Sequence, residues 1–455
     1  MADLGSIFKA YDVRGVIPDT FNVDIARAVG AAFARVVDAP SVVVAHDMRP
    51  SSPELAHAFA DGATSQGVDV VFAGLGSTDL LYYGSGSLDM PGAMFTASHN
   101  PAEYNGIKMC RAGAAPISGE TGLDDIRRLA EESLNGAGVP EHEGPKGTVT
   151  EKDLLPGYAE YLRGLVDLSG SRPLKVVVDA GNGMGGHTVP AVLEQGLPLD
   201  VVPLYFELDG TFPNHPANPL DPDNLVDLQA KVRETGADIG LAFDGDADRC
   251  FVVDERGEPV PPSAVTALVA VQELRREPGA TIIHNLITSA AVPEIVTENG
   301  GAPVRTRVGH SFIKATMAET EAVFGGEHSA HYYFRDFWRA DTGMLAAMHV
   351  LRVLGADQRS LSQITEEYSR YAASGEINSE VEDASGRMAA VREAFAGRDG
   401  VTVDELDGLS VTLPDGSWFN LRASNTEPLL RLNVEAADDT GVTRLRDDVL
   451  AIVRA

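Results

Sequence analysis

Asp244, Asp246 and Asp248 stand two residues apart in ADIGLAFDGDADRCFVVDERG at 237–257, with an apolar run on either side. In an extended loop this spacing turns all three carboxylates to one side, where their mutual repulsion calls for a counter-ion. Oxygen-only ligands suit a hard divalent cation, Mg²⁺ where a phosphate completes the shell, and Arg249 beside them can hold another phosphate oxygen. An EF-hand calcium loop is the competing reading, since Asp244, Asp246, Asp248 and Glu255 fall at its ligand spacing. It fails on context: Arg249 stands where that loop needs Gly, and strands rather than helices flank it. A solvated acidic turn is the plain structural alternative.

Three further segments carry candidate chemistry. FTASHNPAEYNGIK at 95–108 offers Ser98 on a turn before a Lys, either a loop capped by Asn100 and Pro101 or an exposed nucleophile that needs a base or a metal. GGEHSAHYYF at 325–334 offers Glu327, Ser329 and His331, and a carboxylate with a nearby hydroxyl suits vicinal hydroxyls of a sugar. Zinc through His328 and His331 lacks further spaced ligands, and an ordinary polar turn remains open. NLRASNTEPLLR at 420–431 places Arg422, Ser424, Asn425 and Thr426 between two strands, as a phosphate nest or as a plain hairpin turn. Gly181, Gly183 and Gly186 match G-x-G-x-x-G, but the acidic residue a dinucleotide needs further on is only Asp200, at the start of the next strand.

These segments need a scaffold, and the chain supplies one. Residues 24–38 have helical apolar spacing, SVVVAHD at 41–47 reads as a strand, and a helix follows from about Pro53. The strand, polar loop and helix order returns at 174–195 and at 280–298, which predicts α/β domains with largely parallel sheets. Gly and Pro near 135–147, around 256–262 and before Glu376 mark boundaries. Beyond about 376 several short strands and a closing helix from about Thr440 read as α+β. The expected domains are therefore 1–150, 151–256, 257–370 and 371–455.

The 455 residues carry 36 Lys and Arg against 67 Asp and Glu, a formal charge of −31. So acidic a chain is unsuited to nucleic acid or an anionic membrane, and an anionic ligand must meet locally concentrated Arg and Lys. Cys110 and Cys250 alone make no disulfide framework and suit a reducing compartment. The N-terminus lacks an apolar signal core and no run of 18 apolar residues occurs, so a cytoplasmic location is expected.

Taken in order, FKAYDVRG at 8–15, TASHNP, DGDADR, VGHSFIK at 308–314, GEHSAH and RASNTEP resemble the α-D-phosphohexomutase superfamily, in its phosphomannomutase/phosphoglucomutase branch. The resemblance spans nearly the whole chain and implies three topologically similar α/β domains and a smaller C-terminal α+β domain around a central cleft. It implies phosphoserine at Ser98, Mg²⁺ held by that phosphate with Asp244, Asp246 and Asp248, and sugar recognition by Glu327 and Ser329. It further implies that Arg422, Ser424, Asn425 and Thr426 hold the distal phosphate of a small phosphosugar, while Arg14, Lys108, Arg249 and His310 line the reactive end. The implied reaction moves phosphate between O1 and O6 of a hexose through a hexose 1,6-bisphosphate, mannose first and glucose also.

Lys108, His310 and His331 are the acid–base candidates, with His99 ranked lower. Within the family, phosphoglucosamine mutases usually show Gln after the sugar-loop Glu and Ser-Gly-Thr in the phosphate loop, unlike GEHSAH and RASNTEP here. A catalytically silent sugar-phosphate binder would not need Ser98 and the aspartates, and a phosphatase would not need the sugar and phosphate loops. Some relatives carry a Lys where this chain has His284, Asn285 and Leu286, which leaves that contact either missing or supplied by Arg305 or Arg307. A mobile last domain, hinged at about 370–376, would aid reorientation of the intermediate.

Overall fold

The computed structural model describes residues 3–136, 142–423 and 429–455, with all their side chains except that of His310. The chain divides into two compact units, Met1–Val260 with Ser329–Ser362, and Pro261–His328 with Gln363–Ala455.

In the first unit, Ser41–His46 is the centre of a mixed sheet, parallel to Asp69–Leu75 and to Gly92–Phe95. Tyr104–Arg111 runs antiparallel to Gly92–Phe95, and Asp12–Val16 antiparallel to Tyr104–Arg111. Val42 and Val44 are fully buried beneath the helices Val23–Val37 and Ser52–Ser65, as expected for a central strand covered on its faces. Those two helices cross closely because Gly30 and Gly62 stand at the contact. A Cβ on Gly30 would lie 2.1 Å from the Phe59 carbonyl oxygen, and one on Gly62 would lie 2.0 Å from that of Arg27.

A second sheet in this unit has Leu174–Asp179 at its centre, parallel to Leu199–Leu204 and to Ile239–Phe243. Ile239–Phe243 then forms an antiparallel hairpin with Cys250–Asp254, Phe243 opposite Cys250, so that 244–249 make its tip. Both flanking strands are buried along their whole length, which fixes the acidic tip in place. The hairpin Tyr332–Phe334 and Ala340–Asp341 and the helix Gly343–Ala356 complete the unit. Gly343 seats that helix, since a Cβ there would lie 2.6 Å from the Arg249 carbonyl carbon.

The second unit holds three parallel strands, Ala302–Thr306, Thr281–Asn285 and Phe324–Gly326. It also holds a five-stranded antiparallel sheet in the order Ala372–Glu380, Leu429–Ala436, Trp418–Ala423, Leu409–Thr412, Thr402–Asp404. Phe419, Leu421, Leu432 and Val434 face the helices Ala384–Ala396 and Asp439–Val453. The opposite face pairs Trp418 with Glu435, Asn420 with Asn433 and Arg422 with Arg431.

The expected helix near 24–38, the strand at 41–47, the repeats at 174–195 and 280–298 and the closing helix all appear within a few residues. Two expectations change. The sheets are mixed, because hairpins add antiparallel strands to parallel cores. The strand Ala372–Glu380, whose polar sequence AASGEINSE hides it, begins just inside the expected last stretch, 371–455. The expected hinge at 370–376 is strand from Ala372, and the residues just before it are bonded: Arg370 pairs with Glu294 and Glu298, and the Tyr371 hydroxyl donates to Glu294 at 2.7 Å. Among the described residues, no helix is long and apolar enough to cross a membrane.

Candidate active site

Ser98 lies just beyond the end of Gly92–Phe95, in the left-handed backbone region at φ 50°. Few non-glycine residues adopt it, and strain of this kind gathers at functional turns. The Ser98 amide donates to Thr96 Oγ1 at 2.9 Å and the Asn100 amide to the Ala97 carbonyl at 3.0 Å, which closes the turn. The Ser98 hydroxyl then donates to Asp244 Oδ2 at 2.8 Å across a sequence gap of 146 residues.

The three aspartates converge, but not through the extended loop the spacing suggests. The Ala247 amide bonds back to the Asp244 carbonyl at 3.0 Å and Ala247 is left-handed at φ 58°, so the tip of the hairpin is a tight turn. One carboxylate oxygen from each of Asp244, Asp246 and Asp248 lies within 4.8 Å of the others, and all three residues are buried. Lys108 Nζ bridges Asp246 at 2.7 Å and Asp248 at 2.5 Å. Arg249 holds Asp244, its Nε 2.9 Å from Oδ2 and its amide 3.1 Å from Oδ1.

Asp246 Oδ1 and Asp248 Oδ1 are buried without a hydrogen-bond partner. Buried carboxylate oxygens are costly in that state, so the donor set fits a hard cation that would take them. A second acidic group, Asp248 with His331 and Asp341, adjoins the first through the shared Asp248.

Burial works against charge throughout this cluster. It pushes the Asp244 carboxyl above its ordinary range against the pull of Arg249. Burial would raise Asp246 as well, but the Lys108 ammonium holds it below the usual range. Burial would lower Lys108, yet the two aspartates raise it. His99 is pushed well down by burial and by the nearby guanidinium groups of Arg249 and Arg14. It is neutral and its Nδ1 accepts from Arg249 Nη2 at 2.6 Å, with Ser98 Oγ 3.2 Å from the same atom. Arg14 donates to Asn100 Oδ1 at 2.5 Å and to Asp12 Oδ2 at 2.6 Å, which ties its guanidinium to the Ser98 turn. His331 Nδ1 is 3.0 Å from Ser329 Oγ, and its Nε2 is 3.9 Å from Asp248.

In the second unit, buried Glu327 accepts from Asn285 Nδ2 at 3.0 Å and from the Gly309 amide at 3.3 Å, both through Oε1. His284, offered where relatives have Lys, is pushed down to about 4 by burial and supplies no positive charge. Of the two substitutes, Arg305 is ion-paired with Asp404, and the Arg307 guanidinium stacks 4.7 Å over the Phe312 ring. Arg422 lies on the polar face of its sheet, directly opposite Arg431. Ser424, Asn425, Thr426 and the His310 side chain lie outside the described residues.

The first unit thus brings together Ser98, Lys108, Arg14, Asp244, Asp246, Asp248, Arg249, Ser329 and His331, while Glu327 and Arg422 belong to the second. Sequence reading missed Thr78. Thr78 donates Oγ1 to Asp246 Oδ2 at 2.6 Å and its amide to the Asp246 carbonyl at 3.0 Å, from the start of the helix Thr78–Leu88. The glycine motif has a packing role. Gly183 lies against the acidic turn, where a Cβ would be 2.7 Å from the Gly245 carbonyl oxygen, and the Met184 amide donates to that oxygen at 2.9 Å. A dinucleotide phosphate has no place where Gly245 already sits.

Gly245 in turn touches the serine turn: a Cβ there would be 2.4 Å from the Ser98 carbonyl oxygen. Gly245→Ala must push the two loops apart and is expected to lower kcat by roughly 10²-fold, the usual cost of a misplacement near 1 Å. Steady-state kinetics beside a thermal melt checks this, and unchanged kcat would show that the contact is dispensable.

The fold is mixed α/β with a serine turn set against a buried carboxylate cluster, and comparison with known proteins identifies its family. Family models described as phosphoglucomutase/phosphomannomutase α/β/α domains I, II and III match residues 5–136, 156–257 and 261–371, and the C-terminal domain model matches 376–452. The chain is 40% identical to a phosphomannomutase of Escherichia coli over 98% of its own length and 99% of that protein's. It is 41% identical to a Xanthomonas campestris protein named phosphohexose mutases, over 96% and 97%. A crystal structure of a phosphoglucomutase/phosphomannomutase family protein from Burkholderia thailandensis superposes with TM-score 0.88 at 35% identity, covering 99% of this chain and 97% of that one. The chain belongs to the phosphoglucomutase/phosphomannomutase family and is a mutase-type phosphotransferase.

Proposed function

We propose that the protein interconverts hexose 6-phosphate and hexose 1-phosphate, mannose first and glucose second, through phospho-Ser98 and a hexose 1,6-bisphosphate. The observation that carries this is the Ser98 hydroxyl bonded to Asp244 of the acidic cluster. The mannose preference rests on the relatives, several of which bear the name phosphomannomutase.

In the proposed cycle the bond from phosphorus to Ser98 Oγ breaks as a bond to the free sugar hydroxyl forms, and that hydroxyl's proton passes to a base. After the bisphosphate turns over, its other phosphate returns to Ser98 Oγ and a proton goes back to the sugar oxygen. Asp244, Asp246 and Asp248 would hold Mg²⁺, which offsets negative charge on the transferring group. Lys108, Arg249 and Arg14 add fixed positive charge at the same end. His331 suits the acid–base role, because its Nε2 lies 3.9 Å from Asp248 of the acidic cluster. His310 is the second candidate. We assign hydroxyl recognition to Glu327 and Ser329, and the distal phosphate to Arg422 with Ser424, Asn425 and Thr426. Arg431 joins them because it faces Arg422 across the strand pair.

Turnover of mannose 1-phosphate and of glucose 1-phosphate, with Mg²⁺ and a trace of hexose 1,6-bisphosphate, tests the reading. Faster turnover of mannose is expected. Activity on glucosamine phosphate alone would transfer the protein to the phosphoglucosamine branch. Glu327→Gln is expected to raise KM by about tenfold to a hundredfold, the worth of hydrogen bonds to a charged acceptor. An unchanged KM would remove Glu327 from sugar binding.

A further inference from the structure

Arg49 is among the largest fully buried side chains, with 1% of its surface exposed. Burying a guanidinium is costly unless its donors are met, and here the serine turn meets those on Nη1 and Nη2, while Nε makes no hydrogen bond. Nη2 donates to the carbonyl oxygens of Ser98 at 2.9 Å and Asn100 at 2.7 Å, and Nη1 to those of Pro101 at 2.7 Å and Tyr104 at 2.9 Å. Asp47 lies 3.3 Å from Nε and supplies the opposing charge. Asp47 is itself held by the Ser52 hydroxyl at 2.6 Å, at the first turn of Ser52–Ser65. The Phe212 ring covers the guanidinium at 5.1 Å.

Four carbonyls drawn onto one planar cation fix the path of the chain from Ser98 to Tyr104. Each peptide is planar and trans, so a carbonyl pointing inward directs the next N–H outward; at Ser98 this turns the His99 amide away from Arg49. The cation also over-determines the left-handed Ser98, whose conformation would otherwise relax.

We propose that Arg49, acting through the backbone of the serine turn, is the positioning residue that sets Ser98 Oγ for phosphoryl transfer. The proposal rests on the assignment of Ser98 as the phosphorylated group. Lysine keeps the charge but presents one point donor to four divergent carbonyls, so the geometry is lost while the burial site stays filled.

The test compares the wild type with Arg49→Lys, Arg49→Gln and Arg49→Ala, each shown by circular dichroism and a thermal melt to be folded at the assay temperature. In Arg49→Lys, kcat is expected to fall by about 10²-fold with KM for the hexose 1-phosphate nearly unchanged, and phosphorylation of Ser98 by hexose 1,6-bisphosphate to slow in parallel. Millimolar guanidinium ion is expected to restore part of the kcat of Arg49→Ala and to leave the wild type unaffected. Near-wild-type kcat in folded Arg49→Lys or Arg49→Gln would overturn the proposal. So would a loss that merely tracks the unfolded fraction. Should Arg49→Ala fail to fold, the Lys and Gln variants decide. Failure of the wild type itself to turn over any phosphohexose would sink the Ser98 assignment, and is told apart by that control.

Discussion

Ser98→Ala is expected to lose mutase turnover by roughly 10⁴-fold or more, the scale seen when a covalent nucleophile is removed. Among the described residues, Ser98 is the hydroxyl that combines a strained turn with a bond to Asp244, so no other is placed to take over. Alanine meets the same left-handed backbone as serine, so the substitution adds no strain of the kind that would unfold the turn. Asp244 keeps both its bonds from Arg249. The melt should therefore stay close to that of the wild type, which separates loss of chemistry from loss of fold. Turnover of Ser98→Ala within tenfold of the wild type would end the phosphoserine account.

The second large effect concerns the carboxylates. Chelation with EDTA is expected to suppress turnover by about 10³-fold, because a cation at this position is worth several kcal/mol of charge stabilisation, and added Mg²⁺ should restore it. Asp246→Asn should reproduce the loss without rescue at ordinary Mg²⁺. Asp246 carries an unpartnered buried oxygen and also accepts from Lys108 and Thr78, so the amide removes a ligand charge and leaves Lys108 with Asp248 alone. Atomic absorption of the dialysed protein, wild type against Asp246→Asn, follows binding independently of rate. Full turnover in chelator, with metal shown to be absent, would remove the ion from the account.

Much of this was legible in the sequence, for local reasons. Apolar runs such as VVV at 42–44 and LKVVVD at 174–179 announce buried strands, and the loops after them stand out by composition. Ser98, Asp244, Asp246, Asp248 and Arg249 are recognisable because each lies in a compact segment whose neighbours share its chemistry. What stayed hidden is long-range. Thr78 holds Asp246 across 168 residues, and nothing around Thr78 marks it as more than the start of a helix. Arg49 lies beside the proline-led helix start, where an Arg reads as an ordinary surface residue.

The form of the acidic turn was misjudged because a spacing of two suggests an extended chain, whereas Ala247 adopts a conformation that sequence does not ordinarily assign to alanine. The strand Ala372–Glu380 has no apolar alternation, since most of its residues are exposed or half-exposed and its pairing comes from Leu429–Ala436. The charge state of Lys108 likewise follows from two carboxylates brought from another sheet.

The measurement that bears most directly on the central claim is transfer of label from hexose 1,6-bisphosphate carrying ³²P. The expected result is one label per chain, located on Ser98 by peptide mass spectrometry and discharged by added hexose 1-phosphate at a rate matching turnover. Label on another residue, or label on Ser98 discharged more slowly than the enzyme turns over, would contradict it.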